Sequence, residues 1–239
     1  MKEAEIDIAA RLAELRRRIG QAAARAGRAA GDVTLVAVSK RHAPERVAAA
    51  CRAGITDVGE NYAQELVAKM DALAGDPACA ALAWHFIGRL QRNKVRLVVG
   101  RAALIHAVDS LELAREIDRR AGEVGQVQAI LVAVSAAGEA QKTGVPPAEA
   151  AALLDGIAGL SHLACIGLMT MPPWPEAPED SRRYFRELRE IRDRLAGADR
   201  PLPHLSMGTT GDLEVAVEEG ATLVRVGTAL FGPRPGSTA

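Results

Sequence analysis

Residues 33–54 read VTLVAVSKRHAPERVAAACRAG, and this stretch contains one complete strand-and-helix unit. Residues 33–39 form an apolar run rich in valine, which predicts a buried strand. Residues 44–53 follow a helical pattern, with Pro44 in the first turn and Gly54 directly after the end. The chain therefore passes from strand to helix within one short segment, as in α/β folds.

The same unit recurs along the chain about once every 27 residues. Seven further apolar runs predict strands at 55–58, 83–88, 103–108, 127–134, 162–168, 202–206 and 222–226. Helical patterns separate them at 61–74, 90–99, 110–121, 147–158, 179–196 and 211–219. Apolar strands that alternate with helices predict a parallel sheet covered on both faces, and eight such units predict a (β/α)8 TIM barrel. An open doubly wound sheet is the alternative, but no G-x-G-x-x-G motif follows the first strand.

An additional helical pattern precedes the first strand. Residues 3–26 combine an apolar face with several arginines and stop near Gly27, which predicts an extra N-terminal helix. Because no low-complexity linker interrupts the series, we expect residues 1–239 to form a single domain. The proline-rich segment 171–178 is then a long loop after the sixth strand.

Composition excludes several classes of function. Thirty basic and thirty acidic side chains give a net charge of zero, so we expect no nucleic-acid or anionic-membrane partner. Three cysteines without C-x-x-C spacing indicate neither a disulfide framework nor a zinc site. The sequence shows no secretory signal and no run of about 18 apolar residues. We expect a cytoplasmic monomer.

The first candidate for chemistry is Lys40, one of only five lysines in the chain. It follows the first predicted strand, and barrels carry their functional groups at the carboxyl ends of their strands. An amine that is partly desolvated at such a place is a good Schiff-base nucleophile toward an aldehyde. The alternative is a lysine that neutralises a carboxylate at the rim of the barrel.

The next two strands also end in polar residues. Gly59, Glu60, Asn61 and Tyr62 follow the second strand, where they could flank a ligand ring, unless Asn61 simply caps the next helix. A basic cluster after the third strand could attract phosphate, although a solvated helix face is the favoured interpretation. Its members are Arg89, Arg92 and Lys94. Three histidines lie in predicted strands: His85, His106 and His204. Without short ligand spacing they are predicted to line the barrel rather than to bind a metal.

The ends of the last two strands indicate a phosphate site. Residues 206–212 read SMGTTGD and residues 225–228 read RVGT. Glycines allow backbone N–H groups to approach an anion, hydroxyls add donors, and the loops after strands 7 and 8 are where barrels bind phosphate. A helix cap and a turn are the alternative. Together with Lys40, these loops would hold a phosphorylated aldehyde.

Six motifs, in matching order over nearly the whole chain, resemble the pyridoxal phosphate homeostasis proteins. They are LVAVSK (35–40), GENYAQE (59–65), WHFIGRLQRNK (84–94), GLMTM (167–171), HLSMG (204–208) and VRVGTALFG (224–232). The resemblance implies a barrel of PLP fold type III, like the N-terminal domain of alanine racemase. It also implies that pyridoxal 5'-phosphate (PLP) is bound covalently to a lysine.

Carried over residue by residue, the resemblance implies a set of PLP-binding residues. They are Lys40 as the PLP lysine, Asn61, Ser206, Gly208, Arg225, Gly227 and Thr228. The chain departs from the family at Thr209, Thr210 and Gly211, where Met-Ser and one further residue usually precede Asp212. It also has Ser135 where asparagine is usual. Hydroxyl character is kept at Thr210, so these departures bear on the geometry of the phosphate loop rather than on its role.

The resemblance implies a non-catalytic carrier that buffers PLP or delivers it to PLP-dependent apoenzymes. A PLP-dependent amino-acid racemase is the alternative, and a class I aldolase acting through Lys40 is a third possibility. Racemisation needs a second base on the opposite face of the cofactor. In alanine racemases a tyrosine from a further domain supplies this base. The chain ends at Ala239, so we expect no such domain here, and Tyr62 is the only candidate replacement. We therefore expect little or no racemase activity.

Overall fold

Strand β1 (Thr34–Val38) pairs in parallel with both β2 (Asp57–Glu60) and β8 (Leu223–Val226), and this double pairing closes the sheet. The computed structural model describes residues 7–135 and 144–233. The remaining strands are β3 (Ala83–Phe86), β4 (Leu104–Val108), β5 (Gln128–Ala133), β6 (Leu163–Met169) and β7 (His204–Ser206). Each strand pairs with its neighbours in chain order, so the predicted (β/α)8 barrel is confirmed.

Helices connect the strands and cover the outside of the barrel. They are α1 (Ile8–Arg25), α2 (Pro44–Arg52), α3 (Ala63–Leu73), α4 (Val95–Val98), α5 (Leu111–Glu123), α6 (Ala150–Ala158), α7 (Arg182–Leu195), α8 (Leu213–Glu218) and α9 (Thr228–Phe231). None of the helices in the described ranges is long and apolar enough to cross a membrane.

Side chains alternate along each strand between two apolar clusters. One cluster fills the barrel interior and contains Val36, Leu104, Leu131, Met169 and Leu223. The other lies between the outer face of the sheet and the helices, and is much the larger. Every strand is thus buried on both faces, which explains why the strands read as nearly continuous apolar runs.

Helix α1 is the predicted additional N-terminal helix, and it packs against α8 and α9. Its apolar stripe of Leu12, Leu15 and Ile19 is buried, and Arg18 forms an ion pair with Glu214 at 2.5 Å. Residues 3–6 of the predicted helix lie outside the described residues. The helix covers the barrel where the last strands meet the first.

The second strand, the fourth helix and the last helix differ from the sequence prediction. The second strand was expected at 55–58 but runs from Asp57 to Glu60, because Gly59 lies within the strand rather than after it. A Cβ atom on Gly59 would lie 3.0 Å from Val36 Cγ1, so a side chain there would fit only if Val36 shifted by a few tenths of an ångström. The fourth helix was expected at 90–99 but shrinks to a 3-10 turn and the four-residue α4. Helix α9 was not predicted.

Candidate functional site at the barrel mouth

A cavity of about 430 Å³ opens at the carboxyl end of the strands, a size typical of small-molecule sites. Its wall is mainly apolar, with a few polar groups from the strand ends and the loops. The lining residues are Asn61, Ile87, Gly88, Arg89, Ala107, Met169, Met171, Pro172, Pro173, Trp174, Pro175, Gly208, Thr209 and Asp212. The proline-rich loop that the sequence predicted after the sixth strand therefore forms one side of this cavity.

Lys40 lies two residues beyond the end of β1, at the same rim as this cavity. Val38 pairs with Gly59 across the β1–β2 junction, so Lys40 and Asn61 each lie two residues past a paired position. On the other side, a Cβ atom on Gly227 would lie 3.3 Å from the Val38 carbonyl oxygen. The segment that contains Lys40 thus runs between the segments that contain Asn61 and Gly227.

The backbone on either side of Lys40 is held by charged side chains of α3. Lys69 Nζ donates to the Ser39 carbonyl oxygen at 2.6 Å, and the Arg41 backbone N–H donates to Glu65 Oε1 at 3.0 Å. Arg41 has a φ of 63°, in the left-handed region that non-glycine residues rarely adopt. These contacts fix the course of the chain directly before and after the candidate nucleophile.

A buried ion pair lies beneath this segment. Glu60 Oε1 accepts from Lys69 Nζ at 2.6 Å and from the Ser39 hydroxyl at 2.5 Å. Glu60 Oε2 is buried, with no hydrogen-bond partner in the part of the chain that the structure describes. Burial raises the pKa of Glu60 to about 7, even though Lys69 and Ser39 act in the opposite direction. Sequence reasoning missed Lys69, although its spacing from Leu66 and Leu73 places it on the buried face of α3.

Asn61 has a buried side-chain oxygen that accepts no hydrogen bond from any residue that the structure describes. The interpretation of Asn61 as a helix cap is wrong, since Tyr62 occupies the position before α3 and no side chain caps that helix. Asn61 Oδ1 is instead buried without a hydrogen-bond partner among the described residues, and Asn61 lines the cavity. A buried amide oxygen of this kind is stabilised when a ligand supplies a donor.

The loop after β7 has the tight geometry that its glycine predicts. Gly208 has a φ of 89°, and a Cβ atom there would lie 2.4 Å from Ala216 Cβ. The backbone N–H and the hydroxyl of Thr209 both donate to Asp212 Oδ1, at 2.7 and 3.0 Å. The Ser181 hydroxyl donates to the other oxygen of Asp212 at 2.8 Å. Position 209 is one of those where the chain departs from the family pattern, and the Thr209 hydroxyl is hydrogen-bonded within the loop.

Ser206 and Arg225 lie in the barrel interior, outside the lining of the cavity. Arg225 Nη1 donates to Ser206 Oγ at 2.5 Å, and Arg225 Nη2 donates to the Thr170 carbonyl oxygen at 2.9 Å. Arg225 is buried, and both of these acceptors are neutral oxygens. Its burial lowers its pKa to about 10. Ser206 Oγ also lies 2.8 Å from His106 Nδ1, so this hydroxyl has partners on both sides.

The seven PLP-binding residues implied by the resemblance therefore occupy three places. Asn61 and Gly208 line the cavity, Ser206 and Arg225 lie in the interior, and the others lie on the segments that follow β1 and β8. Tyr62 and Ser135 are not among the residues that line the cavity. The sequence reasoning did not foresee that apolar side chains such as Ile87 and Met169 would line this cavity.

The predicted barrel-lining histidines are confirmed for His85 and His106, which are buried within the barrel. His204 is partly buried and lies 3.2 Å from the Thr222 hydroxyl. Within the described ranges, no group of three or more His, Cys, Asp or Glu side chains could hold a metal ion.

Comparison with known proteins identifies the family of this chain. The alanine racemase N-terminal domain family matches residues 10–235. The chain is 45% identical over 225 residues to the pyridoxal phosphate homeostasis protein of Aquifex aeolicus, covering 94% of this chain and 97% of that protein. This chain belongs to the pyridoxal phosphate homeostasis protein family. Another family member, from Escherichia coli K12, is 39% identical over 233 residues, covering 95% of this chain and 97% of that protein.

Solved structures agree with the membership in the pyridoxal phosphate homeostasis protein family. PipY of Synechococcus elongatus PCC7942, solved with PLP bound, is 36% identical with a TM-score of 0.82, covering 95% of this chain and 100% of that chain. Alanine racemase from Corynebacterium glutamicum has a TM-score of 0.70 at 15% identity, covering 97% of this chain and 62% of that chain. This more distant likeness concerns the fold alone.

Proposed function

We propose that this protein binds PLP at the barrel mouth and serves in PLP homeostasis, as a cytoplasmic monomer that buffers PLP or delivers it to PLP-dependent apoenzymes. The observation that carries the proposal is the buried Asn61 Oδ1, which has no hydrogen-bond partner in residues 7–135 and 144–233 and belongs to the lining of a cavity of about 430 Å³. The family membership and the PLP-bound structure of PipY support it.

Lys40 is the proposed point of attachment. Its amine would condense with the aldehyde of PLP, so that one C=N bond forms and one water molecule leaves. The α3 contacts to Ser39 and Arg41 hold the backbone on both sides of Lys40, which supports a fixed position for the amine. The bound group would supply a visible absorption band.

The phosphate is assigned to the loops after β7 and β8. Backbone N–H groups near Gly208 and Gly227 could approach an anion closely because neither residue has a side chain, and the hydroxyls of Thr210 and Thr228 would add donors. Arg225 and Ser206 would act from the interior, below the cofactor. Asn61 would offer its amide from the neighbouring strand end.

A non-catalytic role is part of this proposal. The chain has two tyrosines: Tyr62 is about half exposed outside the cavity lining, and Tyr184 pairs with Arg183 on the surface of α7. These positions support a non-catalytic role, because racemisation requires a second base on the opposite face of the cofactor.

The test is borohydride reduction of PLP-loaded protein, followed by digestion and mass analysis of the peptides. We expect the pyridoxyl group on Lys40 and loss of the visible band in Lys40→Ala. Lys94→Ala, which removes a lysine of the basic cluster after β3, is the matched control and should keep the band. Label on another lysine, with the band retained in Lys40→Ala, would overturn the assignment of Lys40. A protein that binds no PLP would overturn the proposed function.

A further inference from the structure

A continuous chain of polar side chains crosses the apolar interior of the barrel. Arg225 Nη1 donates to Ser206 Oγ at 2.5 Å, and Ser206 Oγ lies 2.8 Å from His106 Nδ1. His106 Nε2 lies 2.8 Å from His85 Nδ1, and His85 Nε2 lies 3.0 Å from Asp57 Oδ1. The chain thus links β8, β7, β4, β3 and β2.

When both imidazoles are neutral, the two ends of this chain determine the direction of every hydrogen bond in it. Arg225 can only donate, and an ionised Asp57 can only accept. With both imidazoles neutral, His85 donates from Nε2 to Asp57 and accepts at Nδ1 from His106 Nε2–H. His106 then accepts at Nδ1 from the Ser206 hydroxyl, whose oxygen accepts from Arg225. Each contact in the chain then joins one donor to one acceptor, and both rings carry their proton on Nε2.

The surroundings of His106 favour this neutral state. His106 is fully buried, and the charged or titratable groups that face it are His85 on β3, His204 on β7 and Arg225 on β8. Burial, reinforced by these three basic groups, lowers the pKa of His106 well below its ordinary value. Burial acts to raise the pKa of Asp57, but the hydrogen bonds from His85 and Thr56 hold it below its ordinary value.

We propose that His106 and His85 are positioning residues, which hold the Ser206 hydroxyl turned toward His106 so that its oxygen accepts from Arg225. The inference rests on the proposed function, because Ser206 and Arg225 belong to the proposed PLP site. Asp57 has a side chain about one-fifth exposed at the opposite end of the barrel, so a carboxylate far from the mouth orients a guanidinium next to the cofactor. Neither histidine would touch the cofactor.

Two measurements test this arrangement. In ¹⁵N-histidine NMR of the PLP-free protein, we expect His106 to be protonated on Nε2 alone, so that its Nδ1 accepts from the Ser206 hydroxyl. Protonation of His106 on Nδ1 would overturn the proposal. Because this spectrum needs no PLP, it separates failure of the hydrogen-bond chain from failure of the proposed PLP binding.

The second measurement is a double-mutant cycle on PLP affinity. We expect His106→Leu to weaken PLP binding about tenfold or more. In a Ser206→Ala background the same substitution should weaken binding less than about threefold, because residues that act through one another are not additive. His204→Leu, the matched control on β7, should bind PLP within about twofold of wild type. Additive effects, or wild-type affinity in folded His106→Leu, would overturn the proposal. If His106→Leu does not fold, Asp57→Asn takes its place in the cycle, with the same non-additivity expected.

Discussion

Replacing Lys69 with methionine tests the buried pair beneath the candidate nucleophile. Lys69 and Glu60 are both buried, and Lys69 Nζ also donates to the Ser39 carbonyl oxygen. Removing one member of a buried ion pair leaves the other charge uncompensated and typically costs about 3 to 5 kcal/mol. We expect Lys69→Met to lower the free energy of unfolding by about this amount at pH 8.

The decrease in the free energy of unfolding caused by Lys69→Met should become smaller at lower pH. The pKa of Glu60 rises from 4.5 to about 7 on folding, so the folded state binds this proton more tightly than the unfolded chain does. The free energy of unfolding of the wild type therefore falls as the pH rises from 4.5 to 7, by about 3 kcal/mol from this group. At pH 5 Glu60 is protonated in the folded protein, and Lys69→Met should lose only about 1 to 2 kcal/mol from broken hydrogen bonds.

The assay is urea unfolding of the PLP-free protein at pH 5 and pH 8, followed by circular dichroism. Lys94→Met is the matched control and should change stability by less than about 0.5 kcal/mol at either pH. The double variant Glu60→Leu/Lys69→Met should recover much of the loss at pH 8, because an apolar pair no longer buries a lone charge. Equal losses at the two pH values, or a larger loss at pH 5, would refute the reasoning.

Three further outcomes are expected. Gly208→Ala should lower the free energy of unfolding by about 2 to 4 kcal/mol, because it combines a left-handed φ with a clash against Ala216. Its control in the same urea titration is Gly75→Ala, where no atom lies within 4 Å of the added Cβ. Pyridoxal without phosphate should bind at least about a hundredfold more weakly than PLP, a difference of about 2.8 kcal/mol, and equal affinities in a titration would contradict the phosphate site. Incubation with L- and D-amino acids in deuterated water, followed by chiral analysis, should show no turnover near 1 per second; turnover at about that rate that is lost in Tyr62→Phe would establish a racemase instead.

The fold was predictable because each strand of this barrel is buried on both faces. Runs such as 33–39 and 103–108 are apolar nearly throughout, and glycines or prolines separate them from the helices. The second strand was displaced in the prediction because Gly59 reads locally as the end of a strand. In the closed barrel, Val36 and Ile87 crowd the position of a Cβ atom on that glycine, and this crowding is not visible in the local sequence.

The candidate site was predictable only in part. The positions of Lys40, Asn61 and Gly208 follow from the rule that functional groups lie at the carboxyl ends of strands. Lys69 acts from the neighbouring helix, and its contact with Glu60 depends on how α3 packs against the sheet. The link from Ser206 to His106 spans 100 residues of sequence, and no local pattern records it.

The contrast between the two tryptophans gives the protein two optical reporters. Trp174 lies on the proline-rich loop at the wall of the cavity and is 82% exposed, whereas Trp84 is buried between β3 and the helix layer. Indole emission depends on the polarity around the ring, so the two residues emit in different ranges of the spectrum. The red-shifted part of the fluorescence should respond to occupancy of the cavity, and the blue-shifted part to loss of the fold. A single unlabelled sample can thus follow binding and unfolding separately, with Trp174→Phe identifying the binding signal.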